Sequence, residues 1–212
     1  MRCNFNRVLV LSPHVDDGEL GCGGTMAKWI EEGKEIYYVA FSWCGKSIPK
    51  RLPPDILKRE CVSATTTLGV SIKRLFLLDY DVRTFPEFRQ EILDSMIEFK
   101  KKIKPELILV PSSHDTHQDH HVIYQEAIRA FKKEASIWGY EQPWNNLSFT
   151  TDIFVKLNKG HLDLKLKALK KYKSQLGKSY FDKKYLHGLE QTRGMQIYCS
   201  YAEAFELVRM IL

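Results

Sequence analysis

The chain predicts an α/β protein: a three-layer sandwich with helices on both faces of a mostly parallel central sheet. Three observations carry this expectation. Short apolar runs of strand length alternate with longer stretches of helical period, and that alternation builds parallel sheets covered by helices. Two of the runs, Val8-Leu9-Val10-Leu11 and Leu107-Ile108-Leu109-Val110, are apolar throughout, as strands buried on both faces must be. Polar residues crowd directly after those same two runs, at strand ends, where open α/β sheets gather ligands.

Residues 7–11 read as the first strand. A glycine cluster follows (Gly18, Gly21, Gly23, Gly24), then an amphipathic helix over 25–33 closed by Gly33. Residues 35–42, rich in β-branched and aromatic side chains, form the second strand. Pro53-Pro54-Asp55 opens a helix that runs to about Leu68 and stops at Gly69. Residues 74–78 are the third strand. A helix over 87–102 presents Ile92, Met96, Ile97 and Phe99 on one side, and Pro105 separates it from a strand over 107–110. The next helix spans about 120–132. Residues 138–146, with Gly139, Pro143 and Asn145-Asn146, read as a loop. Then come a strand over 152–157, a helix over 161–173, a helical stretch from about Phe181, and a closing apolar run at 204–208. No low-complexity linker or repeat interrupts the chain, so one Rossmann-like domain over 1–212 is expected.

Lys and Arg number 32 against 26 Asp and Glu, a formal net charge of +6. The lysines are dispersed and mostly fall on helical patterns, which reads as solvated helix faces. The sharper alternative is attraction to an anionic substrate. No arginine-rich or aromatic-interleaved motif points to nucleic acid. The five cysteines (Cys3, Cys22, Cys44, Cys61, Cys199) are scattered and odd in number, without a CxxC pair, as free thiols of a reducing compartment would be. The apolar run after residues 1–7 is too short for a signal peptide, and no stretch is long enough to span a membrane, so a cytoplasmic protein is expected.

The chemistry lies in Ser12-Pro13-His14-Val15-Asp16-Asp17 and in His114-Asp115-Thr116-His117-Gln118-Asp119-His120-His121, which hold five of the seven histidines. Histidine crowded beside carboxylates points to a metal or to proton transfer. His14 and Asp17, three apart on a turn, can converge on one cation, and His120 is the candidate third ligand. A nitrogen–oxygen donor set of this kind suits Zn2+, and also accepts Fe2+, Co2+ or Mn2+. Asp16, free of the metal, can serve as general base, and His117 can stabilise an oxyanion or protonate a leaving amine. The plain alternatives are a polar turn with helix-capping aspartates and an exposed helix start. Asp119 reads as a helix cap or as a carboxylate orienting a ligand histidine, the cap slightly favoured. His114 and His121 read as non-ligands, His161 and His187 as ordinary surface or helix histidines. Trp138, Tyr140 and Trp144 either stack on a sugar ring or pack their loop on the core.

Pro13-His14-x-Asp16-Asp17 with Gly23-Gly24-Thr25, and later His117-x-Asp119-His120, resemble the LmbE-like, or PIG-L, zinc-dependent N-deacetylases. The resemblance extends over nearly the whole chain: Arg59-Glu60 with Leu68-Gly69, Phe76-Leu77 with Asp81, Lys165, Ala168-Leu169, Ser174-Gln175, and Tyr201-Ala202-Glu203-Ala204-Phe205 fall in the family's order. It implies His14, Asp17 and His120 as zinc ligands, Asp16 as general base, His117 as an aid to the tetrahedral intermediate, and Arg59 and Asp81 as substrate-binding residues. The implied reaction removes an N-acetyl group from an N-acetylglucosamine-type conjugate, releasing acetate and a free amine; the positive charge balance favours an anionic conjugate. Two departures stand out: Val15 replaces a usual proline, and Gly18 replaces a common acidic residue, with Glu19 one place later. The alternatives are metal-dependent hydrolysis of another amide or ester bond, and a catalytically idle sugar- or metal-binding module. No nucleic acid or membrane is expected as partner; a homo-oligomer is an open possibility.

Overall fold

The computed structural model describes residues 5–212; Cys3 and the start of the leading segment at 1–7 lie outside the described residues. Seven strands form one sheet: β1 (Arg7–His14), β2 (Glu35–Ser42), β3 (Leu75–Leu77), β4 (Leu107–Pro111), β5 (Ser136–Tyr140), β6 (Ile153–Leu157) and β7 (Tyr201–Arg209). Their order is β3-β2-β1-β4-β5-β7-β6. The first five are parallel to one another, and β7 runs antiparallel to both β5 and β6.

Six helices cover the sheet: α1 (Asp17–Glu31), α2 (Ile56–Leu68), α3 (Arg89–Ile103), α4 (Gln118–Phe131), α5 (Lys159–Leu169) and α6 (Lys183–Met195). Because side chains alternate along a strand, β1 and β4 feed two cores. Val8, Val10, Leu107 and Leu109 pack with residues of α1, α2 and α5, among them Met26, Leu57 and Leu166. Leu9, Leu11, Ile108 and Val110 pack with α3 and α4 through Ile92, Met96, Ile123 and Phe131. Both faces are therefore dry, which explains why these runs carry no polar alternation.

The second strand and the α2 stop at Gly69 lie where the sequence places them; Gly69 adopts φ 99°, the left-handed cap that glycine favours. Three elements differ. The glycine cluster is not a loop: α1 starts at Asp17 and carries all four glycines, with a kink at Cys22 (φ −145°). Residues 138–140, read as the start of a loop, instead complete the strand β5, parallel to β4. Gly139 there marks close packing, since a Cβ would lie 2.9 Å from Glu206 Oε2 and 3.0 Å from Ser112 Cα. Finally, α5 begins earlier and stops at Leu169, because Asn158 and His161 form a reciprocal capping box at its start. His161, read as a surface or helix histidine, is thus a helix residue, buried and closing the box on the Asn158 cap. Among the described residues no helix is long and apolar enough to cross a membrane.

Candidate metal centre

Sheet order reverses at β1: the chain builds β2 and β3 on one side and β4 on the other. The crevice at such a switch point lies beyond the carboxyl ends of β1 and β4, and both histidine segments emerge there. After β1 the chain turns sharply into α1 through Asp16, at φ 87°, a conformation that non-glycine residues rarely adopt. After β4 the loop is tied to residues 142–146: Thr116 N donates to Asn145 O at 3.2 Å, and Asp115 bridges to Asn146. His117 then caps α4, its Nδ1 accepting from Asp119 N at 3.2 Å.

The two segments bring three donor atoms into a nearly equilateral triangle. His14 Nδ1 lies 3.1 Å from Asp17 Oδ2, His120 Nε2 lies 3.1 Å from the same oxygen, and the two nitrogens are 3.2 Å apart. Tetrahedral coordination with bonds of about 2.0–2.1 Å puts ligand atoms about 3.3 Å apart, so the triangle matches one face of such a site. Each donor is held from behind. His14 Nε2 bonds Asp119 Oδ2 at 2.8 Å, His120 Nδ1 bonds Asp115 Oδ2 at 2.7 Å, and Gln142 Nε2 donates to Asp17 Oδ1 at 2.9 Å. A carboxylate on the far nitrogen fixes the tautomer and leaves the near lone pair free for a cation.

His117 lies close by: its ligand atom belongs to a looser group with those of His14 and His120, all within 4.8 Å of one another. Two donor sets thus compete, and tautomer decides between them. With a backbone N–H donating to Nδ1, neutral His117 carries its proton on Nε2 and is a donor rather than a ligand. The triangle of His14, Asp17 and His120 is the tighter of the two sets.

The electrostatics follow from burial. Desolvation works against the charged form of His120, but Asp17's charge and the bonds to Asp115 and Asp17 outweigh it and push its pKa up to about 10. Burial opposes ionisation of Asp17 too, yet the His120 and His14 rings hold it well below the usual carboxylate range. Asp16, only 9% exposed, has no such partner: burial first, then the neighbouring Asp17 charge, push it well upward. Burial and the positive His120 and His14 rings hold His117 down to about 4. The site therefore offers a seat for a cation, a carboxylate primed to take a proton, and a neutral imidazole N–H donor.

Of the seven residues singled out by sequence, His14, Asp16, Asp17, His117 and His120 meet at this point. Arg59 and Asp81 are not drawn into the cluster: Arg59 is 68% exposed and bonds Asp55, and Asp81 is 41% exposed and pairs with Lys46. Asp119 corrects the preference for a helix cap, since His117 takes that role; Asp119 is fully buried and accepts from Arg83 N and Phe85 N as well as binding His14. Asp115 and Gln142 were not assigned by sequence reasoning. Asp115 had a local signal, an aspartate inside the histidine segment five residues before His120; Gln142 had none. His121 is exposed and bonds Gln125. Trp138 and Tyr140 belong to the core, while Trp144 stacks on Tyr180. At the departure from family pattern, a Cβ on Gly18 would lie 2.6 Å from the Tyr38 ring. Glu19 is buried beneath the turn, accepting from Tyr38 and, at 2.7 Å, from Tyr172; desolvation outweighs those bonds and raises it to about 7.

Residues 9–131 match the family described as PIG-L, GlcNAc-PI de-N-acetylase. The chain is 31% identical over 173 residues to the uncharacterized deacetylase YaiS of Escherichia coli strain K12, covering 79% of this chain and 90% of that protein. Its fold is similar to that of the N,N'-diacetylchitobiose deacetylase from Pyrococcus horikoshii, with a TM-score of 0.80 at 21% identity, covering 97% of this chain and 84% of that one. It is also similar to that of GalB, the 4-carboxy-2-hydroxymuconate hydratase from Pseudomonas putida KT2440, with a TM-score of 0.75 at 19% identity and 98% of each chain covered. A shared fold thus accompanies different reactions, and the site must choose among them.

Proposed function

This chain belongs to the GlcNAc-PI de-N-acetylase (PIG-L) family of deacetylases, and from that premise we propose that it is a zinc-dependent hydrolase of the N-acetyl group on an N-acetylglucosamine-type conjugate. One observation carries the reading: three converging donor atoms 3.1–3.2 Å apart, both histidines backed by carboxylates, stand beside a buried carboxylate that does not cap its helix. His14, Asp17 and His120 would hold the cation, which supplies Lewis acidity towards an amide carbonyl and a water. Asp16 takes the proton of that water as its oxygen bonds to the carbonyl carbon. His117 donates its Nε2 hydrogen to the oxygen of the tetrahedral species. The carbon–nitrogen bond then breaks, the proton passes to the departing nitrogen, and acetate and a free amine leave. Arg59 and Asp81, each ion-paired in the free protein, are the proposed sugar-hydroxyl contacts, exchanging Asp55 and Lys46 for substrate. Against an idle binding module stands Asp16, a buried carboxylate beside the donor atoms that makes no capping bond, on a turn at φ 87°.

The test is amine release from a panel of N-acetylglucosamine conjugates by zinc-loaded, chelator-stripped and Asp16→Asn protein. Chelation should abolish turnover and zinc restore it. Asp16→Asn should lower kcat by about 10²–10⁴-fold, the usual worth of a general base, while keeping one equivalent of metal. Turnover indifferent to both treatments sinks the mechanism; a metal-loaded protein that turns over no conjugate sinks the substrate class.

A further inference from the structure

The formal charge of +6 is not spread evenly. Residues 170–184, between α5 and the first turn of α6, hold six lysines against one aspartate, Asp182. That aspartate is engaged in capping α6, accepting from Lys184 N at 2.8 Å and Tyr185 N at 2.9 Å. The segment is anchored next to the metal centre at two points. Ser174 donates to the buried Glu60 of α2, with N at 3.0 Å and Oγ at 2.5 Å. Tyr180 stacks on Trp144 with ring centroids 4.7 Å apart and planes 16° from parallel. Trp144 lies in the loop whose Gln142 holds Asp17 and whose Asn145 holds Thr116.

Lys178 lies two residues before Tyr180, its ammonium over that ring and 5.4 Å from its centre. No other lysine or arginine acts as strongly on Asp16. Burial opposes its charge, but Tyr180 and the charge of Asp16 outweigh that and move its pKa up, so it is cationic throughout the neutral range. Lys178 has no carboxylate at ion-pair distance among the described residues, and its side chain is exposed.

From the stacked Trp144–Tyr180 pair that fixes this segment beside the candidate metal centre, and from the Lys178 ammonium held over the Tyr180 ring without an ion-pair partner, we infer that Lys178 is a specificity residue that receives an anionic group, carboxylate or phosphate, on the non-sugar part of the substrate. The inference rests on the deacetylase reading of the site and names the substrate class within it. The aromatic pair offers a flat apolar surface, and Lys178 a point charge over its Tyr180 ring.

The experiment compares N-acetylglucosamine glycosides bearing methyl, carboxylate or phosphate aglycones, with wild-type, Lys178→Gln and Lys178→Glu proteins of equal metal content. In the wild type, kcat/KM for one anionic aglycone should exceed that for methyl at least tenfold, chiefly through KM, and the advantage should shrink as salt screens it. The favoured arm distinguishes carboxylate from phosphate. In Lys178→Gln the anionic-to-neutral ratio should fall at least tenfold, and further in Lys178→Glu. A wild type that deacetylates all three equally, or a ratio unmoved by either substitution, overturns the inference and leaves the deacetylase reading standing. If no conjugate is turned over, calorimetric binding decides: Lys178-dependent binding of the anionic conjugates keeps the anion site while the deacetylase reading fails, and its absence overturns both.

Discussion

At the scale of single residues, the centre is a set of paired nitrogens and oxygens whose protons and cation compete for the same place. In the metal-free protein His120 keeps both ring protons at neutral pH, with a pKa of about 10 that burial opposes and Asp17 and Asp115 sustain. The proton on Nε2 then points at Asp17 Oδ2, 3.1 Å away, where a cation would sit. Binding a cation must expel it, since ligand histidines are neutral. We therefore expect release of about one proton per metal at pH 7, read by calorimetry in buffers of different ionisation enthalpy. The apparent affinity should weaken as pH falls, because more protons then compete. Asp115→Asn should lower metal affinity by about 10–100-fold and reduce the proton released. Metal uptake without proton release would place the cation on some other donor set.

At the scale of elements, α1 shows how glycines can serve close packing instead of a loop. A Cβ at Gly21 would lie 2.3 Å from Tyr140 Cδ2, and one at Gly24 would lie 2.5 Å from Leu157 Cδ1 and 3.1 Å from Glu203 Oε1. The helix thus lies tight against β5, β6 and β7, and its first residues carry Asp17 into the centre. Tyr140 is fully buried and donates to Leu11 O at 3.1 Å, so it cannot yield easily. Gly21→Ala should destabilise the protein by about 1–3 kcal/mol, the usual range for overpacking, measured as a lower denaturant midpoint. An unchanged midpoint would mean that Tyr140 and α1 move apart freely. The composition of α1, four glycines in fifteen residues, argued against a helix on propensity; burial of that helix against the sheet overrode it.

At the scale of the whole molecule, one buried charge cluster ties the carboxyl-terminal third to the amino-terminal helix. Lys165 on α5 donates to Glu190 on α6 at 2.6 Å and to Glu203 on β7 at 2.7 Å. Glu203 in turn accepts from Gly24 N at 2.9 Å and Thr25 N at 2.6 Å, just past the α1 kink. All three charged side chains are at most 3% exposed, so losing one strands the others in a medium of low polarity. Lys165→Ala should cost about 3–5 kcal/mol, as breaking a buried ion pair does, seen in urea unfolding. Near-native stability would show that the carboxylates are neutralised some other way.

Strand–helix alternation, the two fully apolar strands and the two histidine segments were all legible in the chain, because each is a local pattern set by backbone period or by scarce residue types. The alternation gave the sheet and its helical layers, and a tight turn of three residues was enough to pair His14 with Asp17. Tertiary structure alone decided the rest. His14 and Asp119 are 105 positions apart, and Asp17 and Gln142 are 125 apart; the parallel registers of β1 with β4 and of β4 with β5 bring them together. Asp119 could be a cap or an orienting carboxylate until the fold placed it against His14. Lys178 was one lysine among many until a stacked aromatic pair set its segment beside the metal centre. Local patterns specify which elements form, whereas long-range packing specifies which side chains meet, and chemistry depends on the meeting.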